Sequence, residues 1–413
     1  MTRCYRLFVS IMVPALCAVL VAVTSALAAP AAKVETVNLG AWLTLTGSNA
    51  DLGVQARAGV EMAAADINAQ GGIKSLGGAK VNLVIVDMTS DAAQVPTTIE
   101  RTLSRTKVSG AVGCTVSSLT LAGLPVMERR GVPMVTTSIS DDITKQGYKN
   151  VFEIAPKGSM FGRMQIEFLS FLKNKYKIPV STVGFVYEQG AYGTSTAAGL
   201  RKIAEQEGYK VVIGQPYNPN FADASPLVSA VRAANPDVLF PISFTVDLGM
   251  IMTVMYQMNY HPPIVGGGAG FLQPDSGRAL GEKMNGLFSV GSWSWDSKNI
   301  TSDPQRVDMT KRYKEKIGTF MAEQAGQHYA AIWVLKEGLE AAGSTDPARV
   351  REALSKIKIT SGMAAIMQPG IVEFDETGFS KHVFPTMIQW QKGEVHTVYP
   401  EKVQNVDVIW PIR

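Results

Sequence analysis

The stretch Gly113-Cys114-Thr115-Val116-Ser117-Ser118-Leu119-Thr120-Leu121-Ala122-Gly123 sets a thiol and four hydroxyls between an apolar run and a helical pattern. Gly110 to Gly113 reads as a strand and a helix is expected from about Leu119. Loops leaving the carboxyl ends of parallel strands share one edge of a sheet, where ligands sit. Thr115, Ser117 and Ser118 therefore become candidate binding residues, with the free N–H groups and dipole of the helix start favouring a carboxylate. The competing reading is N-capping, in which each serine satisfies its own helix. Thr136-Thr137-Ser138-Ile139-Ser140 follows the next expected strand, Pro133 to Thr136, so its hydroxyls, those of Ser138 and Ser140 among them, should lie beside Ser117.

Outward from this point, short β-branched runs alternate with helical patterns, the signal of parallel sheets covered by helices. Strands are expected at Val37 to Leu43 and Lys80 to Val86, with a helix from Val54 to Asn68 that ends at Gly71-Gly72. Val95, Ile99 and Leu103 form a helical stripe, expected to start at a Ser90 or Asp91 cap. The rhythm restarts after Ala155 with Phe161, Met164, Phe168 and Leu172 on one helical face. Strands at Thr182 to Tyr187, Lys210 to Gly214 and Asp237 to Phe240 alternate with helices at Thr194 to Glu205, Asp223 to Ala234 and Val246 to Met258. Helices at Gln324 to Ala342 and Pro347 to Ile357 are followed by strands near Ile371 to Phe374, Val383 to Gln391 and Val395 to Tyr399, which suggests a chain that returns to an earlier lobe. The 413 residues exceed what one hydrophobic core usually supports, so two domains are expected.

Composition excludes several function classes. With 46% hydrophobic and 18% charged residues the chain is ordinary globular material. The formal net charge of +4 is scattered and no basic stripe carries interleaved aromatics, so no nucleic acid partner is expected. Arg3 and Arg6 precede an apolar run from Leu7 to Val23, and Ala26-Leu27-Ala28 supplies a secretory cleavage pattern, so residues 1–28 are expected to be a signal peptide. A retained membrane anchor is the weaker reading, because Pro14 interrupts the run. Cys4 and Cys17 leave with the signal, and Cys114 alone remains. No later segment reaches 18 uninterrupted apolar residues, which predicts a soluble exported protein.

The search for reactive chemistry finds none. A nucleophilic Cys114 would need a basic partner, and His261, His328, His382 and His396 are dispersed without a catalytic-loop context. No histidines or cysteines stand at metal-ligand spacing, so neither metal nor cofactor is expected. Gly266-Gly267-Gly268-Ala269-Gly270-Phe271 begins like a dinucleotide fingerprint, but Phe271 stands where the third glycine belongs. What survives is a set of hydrogen-bonding loops at strand ends. Glu188 to Gly193, Ser243-Phe244-Thr245 and Gly268 to Phe271 supply the second lobe's loops, with Tyr192, Phe244 and Phe271 as apolar walls and Trp42 a further candidate.

Taken together these residues resemble the leucine/isoleucine/valine-binding family of periplasmic binding proteins with the type I fold. The similarity is carried by Leu45-Thr46-Gly47, Gly53, Asp66-Ile67-Asn68-Ala69-Gln70-Gly71-Gly72-Ile73, Val112-Gly113 with Ser117-Ser118-x-Thr120, Gly131-Val132-Pro133, Ile143-Thr144, Gly147-Tyr148 and Tyr192-Gly193, across the mature chain. The resemblance implies an α/β protein of two Rossmann-like lobes with parallel central sheets, joined by three crossovers, with a ligand cleft between them. The crossovers are expected near Ala155 to Gly158, Val290 to Trp293 and Asp375 to Phe379. The expected division is 29–156 and 292–377 for lobe 1, and 157–291 and 378–413 for lobe 2. It implies a non-enzymatic, monomeric periplasmic subunit that delivers a small carboxylate-bearing solute, of the branched-chain amino acid type, to an ATP-binding-cassette permease. By position, Ser117 and Ser138 or Ser140 would bind the carboxylate and Tyr192 would cover the ligand, with Leu52 and Phe244 at two further aromatic positions. Gly268 stands where amino-acid binders place a glutamate for the ligand ammonium, with Asp247 and Asp141 as possible substitutes. Burying an ammonium without a counter-charge is costly, which keeps an aromatic or aliphatic carboxylate, a small amide, or a ligand-sensing role open.

Overall fold

The structure is a computed structural model that describes residues 34–410, so the expected signal peptide lies outside the described residues. The first sheet is wholly parallel. It contains β1 (Thr36–Leu43), β2 (Lys80–Asp87), β3 (Ala111–Gly113), β4 (Met134–Thr136) and β5 (Val151–Glu153), in the order β2-β1-β3-β4-β5. β1 is buried almost throughout, as expected of a strand covered on both faces. Helices α1 (Ala50–Ala69), α2 (Val95–Arg105) and α3 (Ser117–Arg130) cover this sheet. The start of α2 differs from expectation: Gln94, not Ser90 or Asp91, precedes it, and Asp91 instead accepts from the Ala93 N–H in the turn before.

After β5 the chain enters α4 (Gly158–Tyr176), whose Phe161, Met164, Phe168 and Leu172 are all buried. The second sheet begins with β6 (Thr182–Glu188), β7 (Lys210–Tyr217) and β8 (Val238–Ile242), parallel in the order β7-β6-β8. Between them run α5 (Ala191–Gln206) and α6 (Ser225–Ala234), with α7 (Thr245–Gln257) after β8. A bridge from Leu239 to Ile264 continues the sheet into β9 (Val265–Gly266), which pairs in parallel with β10 (Phe288–Gly291). Both sheets thus repeat one order, second-first-third-fourth-fifth. In that order the chain reverses direction between the first and third strands, and the crevice at this switch point is where such sheets take ligands.

The rest of the chain departs from simple alternation. After the short helices α8 (Pro274–Leu280) and α9 (Lys298–Thr301) come α10 (Pro304–Ile317), not anticipated from sequence, α11 (Glu323–Ala342) and α12 (Pro347–Lys356). α11 packs along α1, and its Ala325 and Tyr329 to Leu335 belong to the core that holds Val37, Leu39 and Ala63. Strands β11 (Lys358–Ile359) and β12 (Val372–Glu373) pair with each other. β13 (Thr386–Gln391) and β14 (Glu394–Tyr399) form an antiparallel hairpin added to β10, so the second sheet is mixed at that edge. The chain passes between the two cores three times: Ile154 to Phe161, Val290 to Trp293 and Phe374 to Met387. No described helix is long and apolar enough to cross a membrane.

Candidate functional site

The opening stretch sits at the first switch point. Gly113 has φ +126°, and a Cβ there would lie 2.2 Å from the Trp42 carbonyl oxygen, so glycine is what lets β3 turn against β1. Cys114 is fully buried, and burial pushes its thiol up to about 12. A thiol held protonated is no nucleophile. α3 begins at Ser117, two residues earlier than expected, with Val116 before it and no side-chain cap. Ser117 and Ser118 therefore occupy the first helical turn instead of a free loop, and neither caps it.

The hydroxyls of this region are largely spent on each other. Ser117 Oγ accepts from the N–H groups of Ile139 and Ser140, each at 3.2 Å. Ser138 Oγ lies 2.7 Å from both the Cys114 carbonyl and Thr120 Oγ1. These bonds staple the loop after β3 to the loop after β4, a buried network whose partners fix one another. Ser140 is buried and reaches across to Ser195 Oγ of α5 at 3.2 Å.

A cavity of about 40 Å³ opens between the two switch points. Thr115, Ser117, Thr137 and Ser138 line it from the first lobe, and Phe161, Tyr192, Phe244 and Ala269 from the second. The Tyr192 and Phe244 rings meet at 5.1 Å, and the Tyr192 hydroxyl donates to the Gly267 carbonyl at 2.8 Å. The return segment adds Ser292, Glu323, Gln324 and Gln327. Such a volume holds on the order of three waters.

Of the ten anticipated residues, Thr115, Ser117, Ser138, Tyr192 and Phe244 line this cavity. Ser118 faces a neighbouring cleft of about 120 Å³ with Glu188 and Asp247. Ser140 is held in the interlobe bond described above. Gly268 is not a wall residue: it has φ +100° and its N–H donates to Ser289 Oγ, while Ala269 reaches the cavity in its place. Phe271 and Trp42 are corrections. Phe271 is fully buried in the second lobe's core, its carbonyl accepting from Trp390 Nε1, and Trp42 is fully buried in the first. Asp141 is engaged by the Ser159 N–H and hydroxyl, and Asp247 faces the outer cleft, so neither substitutes as the inner cavity's charge.

The cavity's remaining polar atoms are open. Thr115 Oγ1, Thr137 Oγ1, Ser292 Oγ, Gln324 Oε1 and Gln327 Oε1 are buried without a hydrogen-bond partner. Glu323 accepts from the Ser292 N–H, and burial raises its carboxyl to about 7. His328, one turn further along α11, is fully buried and held neutral, lowered to about 4, with Nδ1 2.8 Å from the Gln324 carbonyl. Sequence reading passed over Glu323, Gln324 and Gln327, although three polar residues ahead of the apolar run Tyr329 to Leu335 were a visible signal. Among the described residues no three His, Cys, Asp or Glu side chains cluster as metal ligands. The arrangement can hydrogen-bond and enclose a solute. Across the cleft mouth Thr245 Oγ1 donates to Asp51 Oδ2 at 2.5 Å.

Residues 36–378 match the periplasmic binding protein family. A Leu/Ile/Val-binding protein homolog 7 of Brucella abortus is 30% identical over 404 residues, covering 96% of this chain and 99% of the relative. The structure superposes on the leucine binding protein LivK of Thermotoga maritima with a TM-score of 0.77 at 22% identity, over 90% of this chain and 99% of that one. For the substrate binding protein LivJ of Streptococcus pneumoniae, solved with isoleucine, the TM-score is 0.75 at 20% identity, over 89% and 100%. With two lobes, facing switch points and a match spanning most of its length, the chain belongs to the periplasmic binding protein family.

Proposed function

We propose that this chain is the exported solute-binding subunit of an ATP-binding-cassette importer, capturing a small carboxylate-bearing solute of the branched-chain amino acid type by closure of its lobes. The observation that carries the reading is the interlobe cavity, which brings unpartnered hydroxyls of Thr115 and Thr137 into one space with the Tyr192 and Phe244 rings. Unpartnered polar atoms together with flat apolar walls suit an amphiphilic solute. The names of the relatives, which include leucine and Leu/Ile/Val binding, support the same class. On this reading the lobes divide near residues 156, 291 and 377, the mature chain begins near Ala29 in the periplasm, and a membrane permease receives the closed form. Catalysis forms no part of it, and the subunit acts as a monomer.

A second reading keeps the transport role for an aromatic or aliphatic carboxylate or a small amide, and is favoured by Gly268 contributing no side chain to the cavity. A thermal-shift screen of residues 29–413 against L-leucine, phenylacetate and isovaleramide tests the proposal. A solute that binds only the folded state raises the melting temperature with concentration. Silence across all three classes contradicts it.

A further inference from the structure

The inner cavity has one ionisable carboxylate, and its surroundings leave that charge unanswered. Among the described residues, no lysine, arginine, aspartate or second glutamate lines the space. Glu323 sits in the first turn of α11, 6% exposed, with Gln324 and Gln327 beside it on the same helix end. The Gln324 and Gln327 amide oxygens and the Ser292 hydroxyl are buried and unpartnered. The return segment's part of the lining is thus rich in hydrogen-bond acceptors. The first lobe's part of the lining carries the Thr115 and Thr137 hydroxyls and the N-terminus of α3, which suit an anion.

We propose that Glu323 is the cation-recognising residue of this cavity, so that the captured solute carries an ammonium group as well as its carboxylate. The inference rests on the capture reading above and narrows it to amino acids. An isolated buried carboxylate is expensive, and breaking a buried pair by removing one partner is strongly unfavourable; a bound ammonium supplies the missing partner. Three N–H donors match a carboxylate flanked by amide and hydroxyl acceptors.

The groups facing Glu323 leave it free to respond to such a ligand. The crossover at Ser292 and Trp293 contributes backbone N–H groups and the Ser292 hydroxyl, and α5 contributes the Tyr192 phenol, raised well above its ordinary 10. None carries a positive charge near neutrality. Burial raises the Glu323 carboxyl to about 7, so at lower pH an ammonium ligand must first displace a proton. Affinity for such a ligand therefore rises as pH increases toward and through 7. A solute recognised through its carboxylate alone behaves oppositely, since the protonated acid is then the better neighbour.

The test is isothermal titration of wild type and Glu323→Gln with L-leucine and with 4-methylpentanoate, the same skeleton without the amine, between pH 5.5 and 8.5. The expected result for wild type is L-leucine affinity rising roughly tenfold or more across the range, with proton release below neutrality. Glu323→Gln should lose roughly tenfold or more for L-leucine and the pH dependence with it, while 4-methylpentanoate changes little. Glutamine keeps an acceptor for the Ser292 N–H, and the wild-type pH series needs no variant at all. Leucine binding that is flat with pH, unaffected by Glu323→Gln, or weaker than that of 4-methylpentanoate overturns the assignment while leaving solute capture intact. If the wild type binds none of these probes nor those of the thermal-shift screen, capture itself fails and the assignment falls with it.

Discussion

Thr137 and Ser138 are adjacent wall residues with opposite duties. Thr137 Oγ1 has no partner within the protein, whereas Ser138 Oγ is committed to Cys114 and Thr120. Thr137→Val should therefore leave the melting temperature unchanged and weaken solute binding by about 1 kcal/mol, one net hydrogen bond. Ser138→Ala should lower stability by about 1 to 2 kcal/mol, because it strips a buried carbonyl of a donor, with a smaller effect on binding. Thermal melts and titration calorimetry on the two variants separate these outcomes. Cys114 should resist alkylation by iodoacetamide in the native protein and react on denaturation; rapid native labelling would contradict its burial. At this scale the sequence located the hydroxyl loops but could not say which hydroxyls are already satisfied. That depends on Ile139 and Ser140 presenting their N–H groups to Ser117, a contact between loops more than 20 residues apart.

The helices decide where those residues point. The start of α3 at Ser117, earlier than the apolar pattern suggested, turns Ser118 toward the outer cleft and keeps Ser117 on the inner one. α7 begins beside Phe244, and its first residue, Thr245, reaches Asp51 of α1 across the cleft mouth. Burial raises the Asp51 carboxyl, with the Thr245 bond opposing that shift. Thr245→Val removes the donor and should favour the open arrangement, weakening binding by about 1 kcal/mol. Small-angle scattering should show a larger radius of gyration for the unliganded variant; an unchanged radius and affinity would mean that this bond does not hold the lobes. Four of the five strands of the first sheet and most of the helices were legible from period and punctuation, as with α4, whose four anticipated core residues are all buried, whereas the three-residue β5 was not anticipated. α10 was not: its face is mostly charged, and it docks through Met309 and Tyr313, with Arg312 paired to Asp66 of a distant helix.

The molecule as a whole repeats one strand order twice and sets the two switch points face to face. The alternating grammar made both sheets visible in sequence. Glu323 escaped notice because α11 comes from far along the chain and only the folded return segment brings it to loops more than 180 residues earlier. Its burial also shapes stability. Burial raises Glu323 to about 7 and Glu153, at the first crossover, to about 8, although Lys157 at 3.0 Å opposes the latter. Both values exceed the ordinary 4.5, so the folded state binds more protons. The stability these groups contribute is complete below 4.5 and is lost as pH rises through 7 and 8. The unliganded protein should melt higher at pH 5.5 than at pH 8, and the gap should narrow in Glu323→Gln; a melt that rises with pH would contradict this. The central claim, that a solute is held between the lobes by their closure, is tested most directly by a distance across the cleft mouth. Val54 of α1 and Val246 of α7 are exposed, 55% and 48%, and accept spin labels as Val54→Cys and Val246→Cys while Cys114 stays buried. Double electron–electron resonance with saturating L-leucine should collapse a broad distribution to one short distance. An identical distribution with and without a solute that calorimetry shows to be bound would contradict the account.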